Sequence, residues 1–89
     1  MQFPLGRLLA TPGALRALAQ VGQAPLWLLA RHSSGDFGEL TPDDRYENEI
    51  AVEHGFRVLS SYRLGSGTVV WVITEADRSA TTILLPQEY

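Results

Sequence analysis

Thr68 to Tyr89, TVVWVITEADRSATTILLPQEY, is the stretch whose reading decides the fold. Two apolar runs flank a polar knot, Glu75-Ala76-Asp77-Arg78-Ser79. The spacing predicts two antiparallel strands, Thr68 to Glu75 and Ala80 to Leu85, with the knot as their turn. Val69, Val70, Trp71, Val72 and Ile73 follow one another without a polar break, as expected of a central strand buried on both faces. Pro86 has no N–H to donate and ends the ladder.

Upstream, Phe56 to Leu64 alternates. Phe56, Val58, Ser60, Tyr62 and Leu64 point one way, and Arg57, Leu59, Ser61 and Arg63 the other. Gly65-Ser66-Gly67 supplies a tight hairpin connection. The C-terminal third is therefore expected to be a three-stranded antiparallel meander.

The first half reads as helices. Thr11-Pro12 is an N-cap followed by proline at the first helical position. Leu15, Leu18 and Ala19, with Val21 nearby, form its expected apolar stripe, and Gly22 its end. Pro25 opens a second helix to His32, with Leu26, Leu29 and Ala30 on one face and Trp27 and Leu28 widening the buried arc; a strand is the alternative for so short an apolar run. Thr41-Pro42-Asp43-Asp44 combines an N-cap, a proline and two acids at the positive end of the helix dipole. That helix should run to Glu53 or His54 and stop at Gly55, with Tyr46, Ile50 and Ala51 inward and Glu47, Glu49 and Glu53 on a wet outer face. Arg7-Leu8-Leu9-Ala10 reads as an edge strand or an extended lead-in. The expected fold is α+β: a single compact domain over 1–89, with N-terminal helices packed on a C-terminal three-stranded antiparallel meander.

Composition narrows the function. The 89 residues include no cysteine, so disulfides, thiolate metal sites and thiol chemistry are absent. His32, His54 and the carboxylates do not fall at zinc-type spacings, and no metal or cofactor is expected. All seven basic residues are arginine and the net charge is −3, which argues against nucleic acid as the main partner. No apolar run is long enough to span a bilayer, and the N-terminus lacks signal-peptide character, so a cytoplasmic location is expected.

Three polar groups are the candidates for chemistry or recognition. Arg31-His32 ends the second helix, where histidine acts as a base, as a cation, or simply as a packing residue. Asp36, between glycines, either caps its own turn or orients a site, and Phe37 beside it is a core plug or a ligand platform. Glu75, Asp77, Arg78 and Ser79 make a dense turn that either satisfies itself or presents a recognition tip; arginine among hydroxyls also suits a phosphate. No nucleophile elbow, P-loop, dinucleotide fingerprint or H-E-x-x-H motif is present.

Several stretches together resemble a family of small uncharacterised bacterial proteins carried on plasmids, prophages and integrative elements, commonly labelled "plasmid-related". They are ATPGAL (Ala10 to Leu15), RHSSGDFGEL (Arg31 to Leu40), Asp44 with Asn48, GFRVLSSY (Gly55 to Tyr62) and WVITEADRSATTILLPQEY (Trp71 to Tyr89). Relatives often carry tryptophan, with its N–H donor, at the position of Phe37. The resemblance implies a mobile-element accessory protein and no established reaction.

The leading expectation is a non-enzymatic, protein-binding accessory factor of a mobile genetic element, acting on a host or competing-element protein as a defence or anti-defence modulator. Its contact surface would be the Glu75–Ser79 tip and the Arg31–Gly38 loop, namely Asp36, Phe37, Glu75, Asp77, Arg78 and Ser79. The alternative is a small metal-independent ribonuclease of the toxin type. There His32 would serve as acid or base, Arg31 and Arg78 would stabilise phosphate charge, and Thr81 or Thr82 would assist. A homodimer is expected through an edge strand at Ala80–Leu85 or Arg57–Leu64.

Overall fold

The structure, a computed structural model, describes residues 2–89; Met1, the first residue of the apolar lead-in, lies outside them. The elements are β1 (Arg7–Ala10), α1 (Pro12–Gln20), α2 (Pro25–Ser33), α3 (Pro42–His54), β2 (Val58–Arg63), β3 (Val69–Thr74) and β4 (Ala80–Leu84), followed by a 3-10 turn at Pro86–Glu88. The fold is α+β. The expected meander is present as β2, β3 and β4, but the sheet has four strands in the order β1-β4-β3-β2. β1 joins parallel to β4, with Arg7 beside Ala80 and Ala10 beside Ile83, so the sheet is mixed.

Gly6 accounts for the added strand. Its φ is +66°, and a Cβ there would collide with the backbone of Arg78 and Ser79. Only glycine lets the lead-in cross the knot this closely. The next N–H, of Arg7, then bonds Ser79 O at 3.0 Å and starts the parallel ladder.

The helix boundaries follow the capping chemistry. The Thr11 and Thr41 hydroxyls accept from Ala14 N and Asp44 N, each at 3.1 Å. Gly55, at φ +79°, stops α3 as a left-handed C-cap. The inward faces differ from the expected stripes. In α1, Ala14, Ala17 and Leu18 are buried with Val21 packed beside them, whereas Leu15 and Ala19 face solvent. The run 14, 17, 18, 21 is itself an i, i+3, i+4, i+7 stripe, one residue earlier than leucine spacing suggested. In α2, Leu28, Leu29 and His32 point inward and leave Leu26 and Trp27 exposed. In α3, Asn48 and Ala51 are buried and Tyr46 is exposed. In both helices a polar residue holds an inward position that hydrophobicity assigned elsewhere.

α1 and α2 pack on the sheet face that carries Tyr62, Val70, Val72 and Ile83. A second cluster, Phe3, Phe37, Ala51 and Val58, ties the lead-in and α3 to the start of β2. On the opposite face Ile73 and Leu84 are buried, but Trp71 is only half-buried, its ring centroid 5.8 Å from that of Tyr89 in an edge-on arrangement. The expectation of a central strand covered on both faces thus holds fully on one side and partly on the other.

Neither expected dimerisation edge is open. β4 lies inside the sheet between β1 and β3. β2 is at an edge, but its outward backbone is occupied. The Asn48 amide donates to Leu59 O at 2.6 Å and accepts from Leu59 N at 3.2 Å. Ser61 N donates to Phe37 O, and Ser61 O accepts from Glu39 N. Gly38, at φ +76°, makes that close approach, because a Cβ would strike Ser61 O.

Candidate functional site: a buried polar chain and an open groove

His32 is fully buried in the helix-side layer. Its Nδ1 lies 2.6 Å from Ser60 Oγ and its Nε2 2.8 Å from Thr74 Oγ1. Thr74 Oγ1 lies 2.7 Å from Thr81 Oγ1, which donates to Leu5 O at 2.7 Å. The direction of every bond follows from that terminal carbonyl. Thr81 has one hydroxyl proton and gives it to Leu5 O, so Thr74 must donate to Thr81. The Thr74 oxygen then accepts from His32 Nε2–H, and Ser60 donates to the bare Nδ1. The ring is held neutral with its proton on Nε2. Burial, and secondarily the Arg78 charge, push its pKa down to about 4. One chain of hydrogen bonds thereby links α2, β2, β3, β4 and the lead-in, and among the described residues no buried side-chain N or O lacks a partner.

Arg78 is committed as firmly. Its φ of +62° places it in the left-handed region, where glycine or asparagine is usual. From there the guanidinium reaches the end of α3. Nη1 donates to Phe56 O at 2.7 Å and Nη2 to Ala51 O at 2.8 Å, with longer bonds from Nη1 to Glu75 O and Ala76 O. Ala51 O already accepts from Gly55 N and Phe56 N, and Arg78 adds a charged donor there that complements the negative end of the dipole. Its guanidinium carbon lies 5.6 Å from the centre of the Phe3 ring. Its partners are backbone carbonyls rather than the Glu75 or Asp77 carboxylates. Asp77 instead accepts from Ser79 N at 3.0 Å, and hydrogen bonds from Ser79 hold its pKa below the usual carboxylate range.

Asp36 caps its own loop, accepting from Gly38 N at 3.3 Å, and pairs with Arg31 Nε at 2.7 Å. The Arg31 hydrogen bond holds the Asp36 carboxyl low. The guanidinium also lies over the Tyr62 ring at 4.6 Å. The Tyr62 hydroxyl donates to Asp36 O at 2.6 Å, and burial pushes its pKa up to about 12. Phe37 is 1% exposed, a plug in the second cluster, so its proposed role as a contact residue is corrected.

The sequence candidates therefore do not converge. His32 joins Thr81, whereas Thr82 stands beside Ile73 and points to the opposite face of the sheet. Arg31 sits near Tyr62, and Arg78 sits at the other end of β2, near Phe56. No hydrogen bond or ion pair among the described residues joins the Arg31–Gly38 loop to the Glu75–Ser79 tip. A nuclease built on His32, Arg31, Arg78 and Thr82 needs an open cleft holding all four, and these positions form none. No group of three or more His, Cys, Asp or Glu among the described residues is arranged to hold a metal, and no described helix is long and apolar enough to cross a membrane.

What is open is a groove of about 710 Å³ between α3 and the outer face of the sheet. Leu59, Ser61 and Trp71 form its floor, and Leu40, Asp44, Glu47 and Ile50 one wall. Phe56 and Arg57 stand at an end, Phe56 58% exposed and Arg57 5.3 Å over Tyr89. Glu39 at the rim is already paired with Arg63 at 2.9 Å, while Asp44 and Glu47 are exposed and in no ion pair among the described residues. The volume lies in the range of ligand and peptide sites, and the lining combines apolar side chains with an acidic wall. Sequence reading missed this groove because Glu47 looked like part of a solvated helix face and Asp44 like an acid serving only the helix dipole. Asn48 was the available signal: it lies one turn before Ala51, on the inward side of the helix.

Compared with known proteins, the chain matches no family model, no curated protein and no solved structure.

Proposed function

We propose that this chain is a small non-enzymatic, protein-binding accessory factor of a mobile genetic element, a modulator of a host or competing-element protein in defence or anti-defence. The groove between α3 and the sheet is its binding surface. One observation carries this reading: the groove is a concavity of about 710 Å³, its floor carries Trp71, and its wall carries two carboxylates in no ion pair among the described residues. An extended segment with alternating aliphatic and arginine or lysine side chains complements that lining, its cations meeting Asp44, Glu47 and the face of Trp71. The neutral, enclosed histidine and the fully engaged arginine leave the chain's own polar groups to structure rather than chemistry.

The test uses Trp71 as reporter. Trp27 is exposed on α2, and Trp27→Phe leaves Trp71 as the single indole. Titration with a peptide of alternating leucine and arginine should shift Trp71 emission saturably, and Glu47→Arg should abolish the shift. A leucine–glutamate peptide should have no effect. If Trp71 responds to neither peptide, or equally to both, the groove is not the recognition surface.

A further inference from the structure

The two edges of the sheet are treated differently. At β2 the outward groups of Leu59 and Ser61 are consumed by Asn48, Phe37 and Glu39. At β1 they have no partner among the described residues. Arg7 N and Thr11 N bond inward, to Ser79 O and Ile83 O, and the alternation of a strand then turns the N–H and C=O of Leu8 and Ala10 outward. Leu8 is 50% exposed and Leu9 43%. β1 is short, with four residues, and begins with the exposed Arg7, but it carries no proline, bulge or inward charge to block pairing over Leu8 to Ala10.

We infer that β1 pairs antiparallel with β1 of a second copy of this chain, joining two four-stranded sheets into one. Outward-facing residues must form the hydrogen-bonded pairs of an antiparallel ladder. That condition fixes the register: Leu8 lies opposite Ala10 of the second copy, Ala10 opposite its Leu8, and the two-fold axis passes between the two Leu9 residues. Four backbone hydrogen bonds form, and the Leu9 side chains meet on the outer face. Arg7 falls opposite Thr11, so no like charges are brought together. Closure selects a second copy over a foreign strand. Pairing uses both open edges and leaves β2, already blocked, at each end of the joined sheet, so assembly stops at two. The groove lies at the β2 end and stays open in both copies.

Sedimentation equilibrium over a range of concentrations, with hydrogen exchange at Leu8 and Ala10, tests this. The wild type should approach the mass of two chains as concentration rises, with both amides gaining protection in parallel. Leu8→Pro removes an outward N–H that the chain's own sheet does not use, and should weaken association roughly tenfold or more with unchanged circular dichroism. If that variant unfolds, Leu9→Arg decides, since it sets two cations against each other at the axis. A wild type that keeps the mass of one chain at every concentration overturns the inference, as does a two-chain mass that survives both substitutions. Protection of Leu8 and Ala10 that persists at every dilution, from a co-purified strand of another protein, overturns it as well.

Discussion

Acidification from pH 7 to pH 5 should destabilise the fold by about 2 kcal/mol through His32 alone. The folded pKa is about 4, against 6.5 for a free histidine. Between those values the unfolded chain binds a proton that the folded chain refuses, so stability rises with pH across the window. The contribution is complete above 6.5 and is lost as the pH falls toward 4. A gap of that width corresponds to about 3 kcal/mol in total, most of it gone by pH 5. The physical cause is enclosure: protonating Nδ1 would place a cation in a layer of apolar side chains and force the Ser60 hydroxyl to turn away. Carboxylates act lower. Asp36 and Asp77 have folded pKa values held below the ordinary range, so their contribution falls away only in more acid solution. Urea unfolding at pH 7 and pH 5 measures the effect, with His32→Gln as control because glutamine keeps a donor toward Thr74 and does not titrate. The wild type should lose stability between the two pH values and the variant should not. Equal losses in both proteins, or none in the wild type, would refute the enclosed neutral ring.

Two further outcomes follow from the polar clamps. Arg78→Ala removes four bonds, to the carbonyls of Ala51, Phe56, Glu75 and Ala76, and should cost about 3 kcal/mol in urea unfolding; Arg78→Gly should cost less, because glycine relieves the left-handed φ, yet remain well below wild type. Asn48→Ala strips both partners from Leu59 and should cost roughly 2 kcal/mol in urea unfolding; Ser61 stays bonded to Phe37 and Glu39, so the β2 edge remains blocked and the sedimentation profile should match that of the wild type.

Where local chemistry decides, the sequence was readable. Thr11, Thr41 and Gly55 mark helix ends through their own hydrogen bonds and backbone angles, and the Gly65–Gly67 hairpin and the meander follow from alternation. β1 was only half legible, since four residues without alternation make a strand only when Gly6 lets them cross the knot. The inward faces of α2 and α3 were misread at His32 and Asn48. Hydrophobic periodicity gives a polar residue no inward place, and their partners, Ser60, Thr74 and Leu59, lie far along the chain. Sequence alone leaves Arg78 either satisfied within its own turn or free for recognition, because two of the carbonyls it holds, Ala51 O and Phe56 O, belong to a segment more than twenty residues away. The groove depends on how α3 sits against β2, a tertiary fact that the spacing of Asp44 and Glu47 does not encode.

On the proposed reading the chain acts through the α3–sheet groove, with Asp44 and Glu47 as its charged contacts, and not through His32, Arg31 or Arg78. Chemical-shift mapping of the 15N-labelled protein against the leucine–arginine peptide tests it most directly. The account predicts saturable shifts at Asp44, Glu47, Leu59, Ser61 and the Trp71 indole, with the His32 ring still neutral and protonated on Nε2 throughout. Shifts centred on Asp36 or on the Glu75–Ser79 turn, or a change in the His32 tautomer on binding, would contradict it.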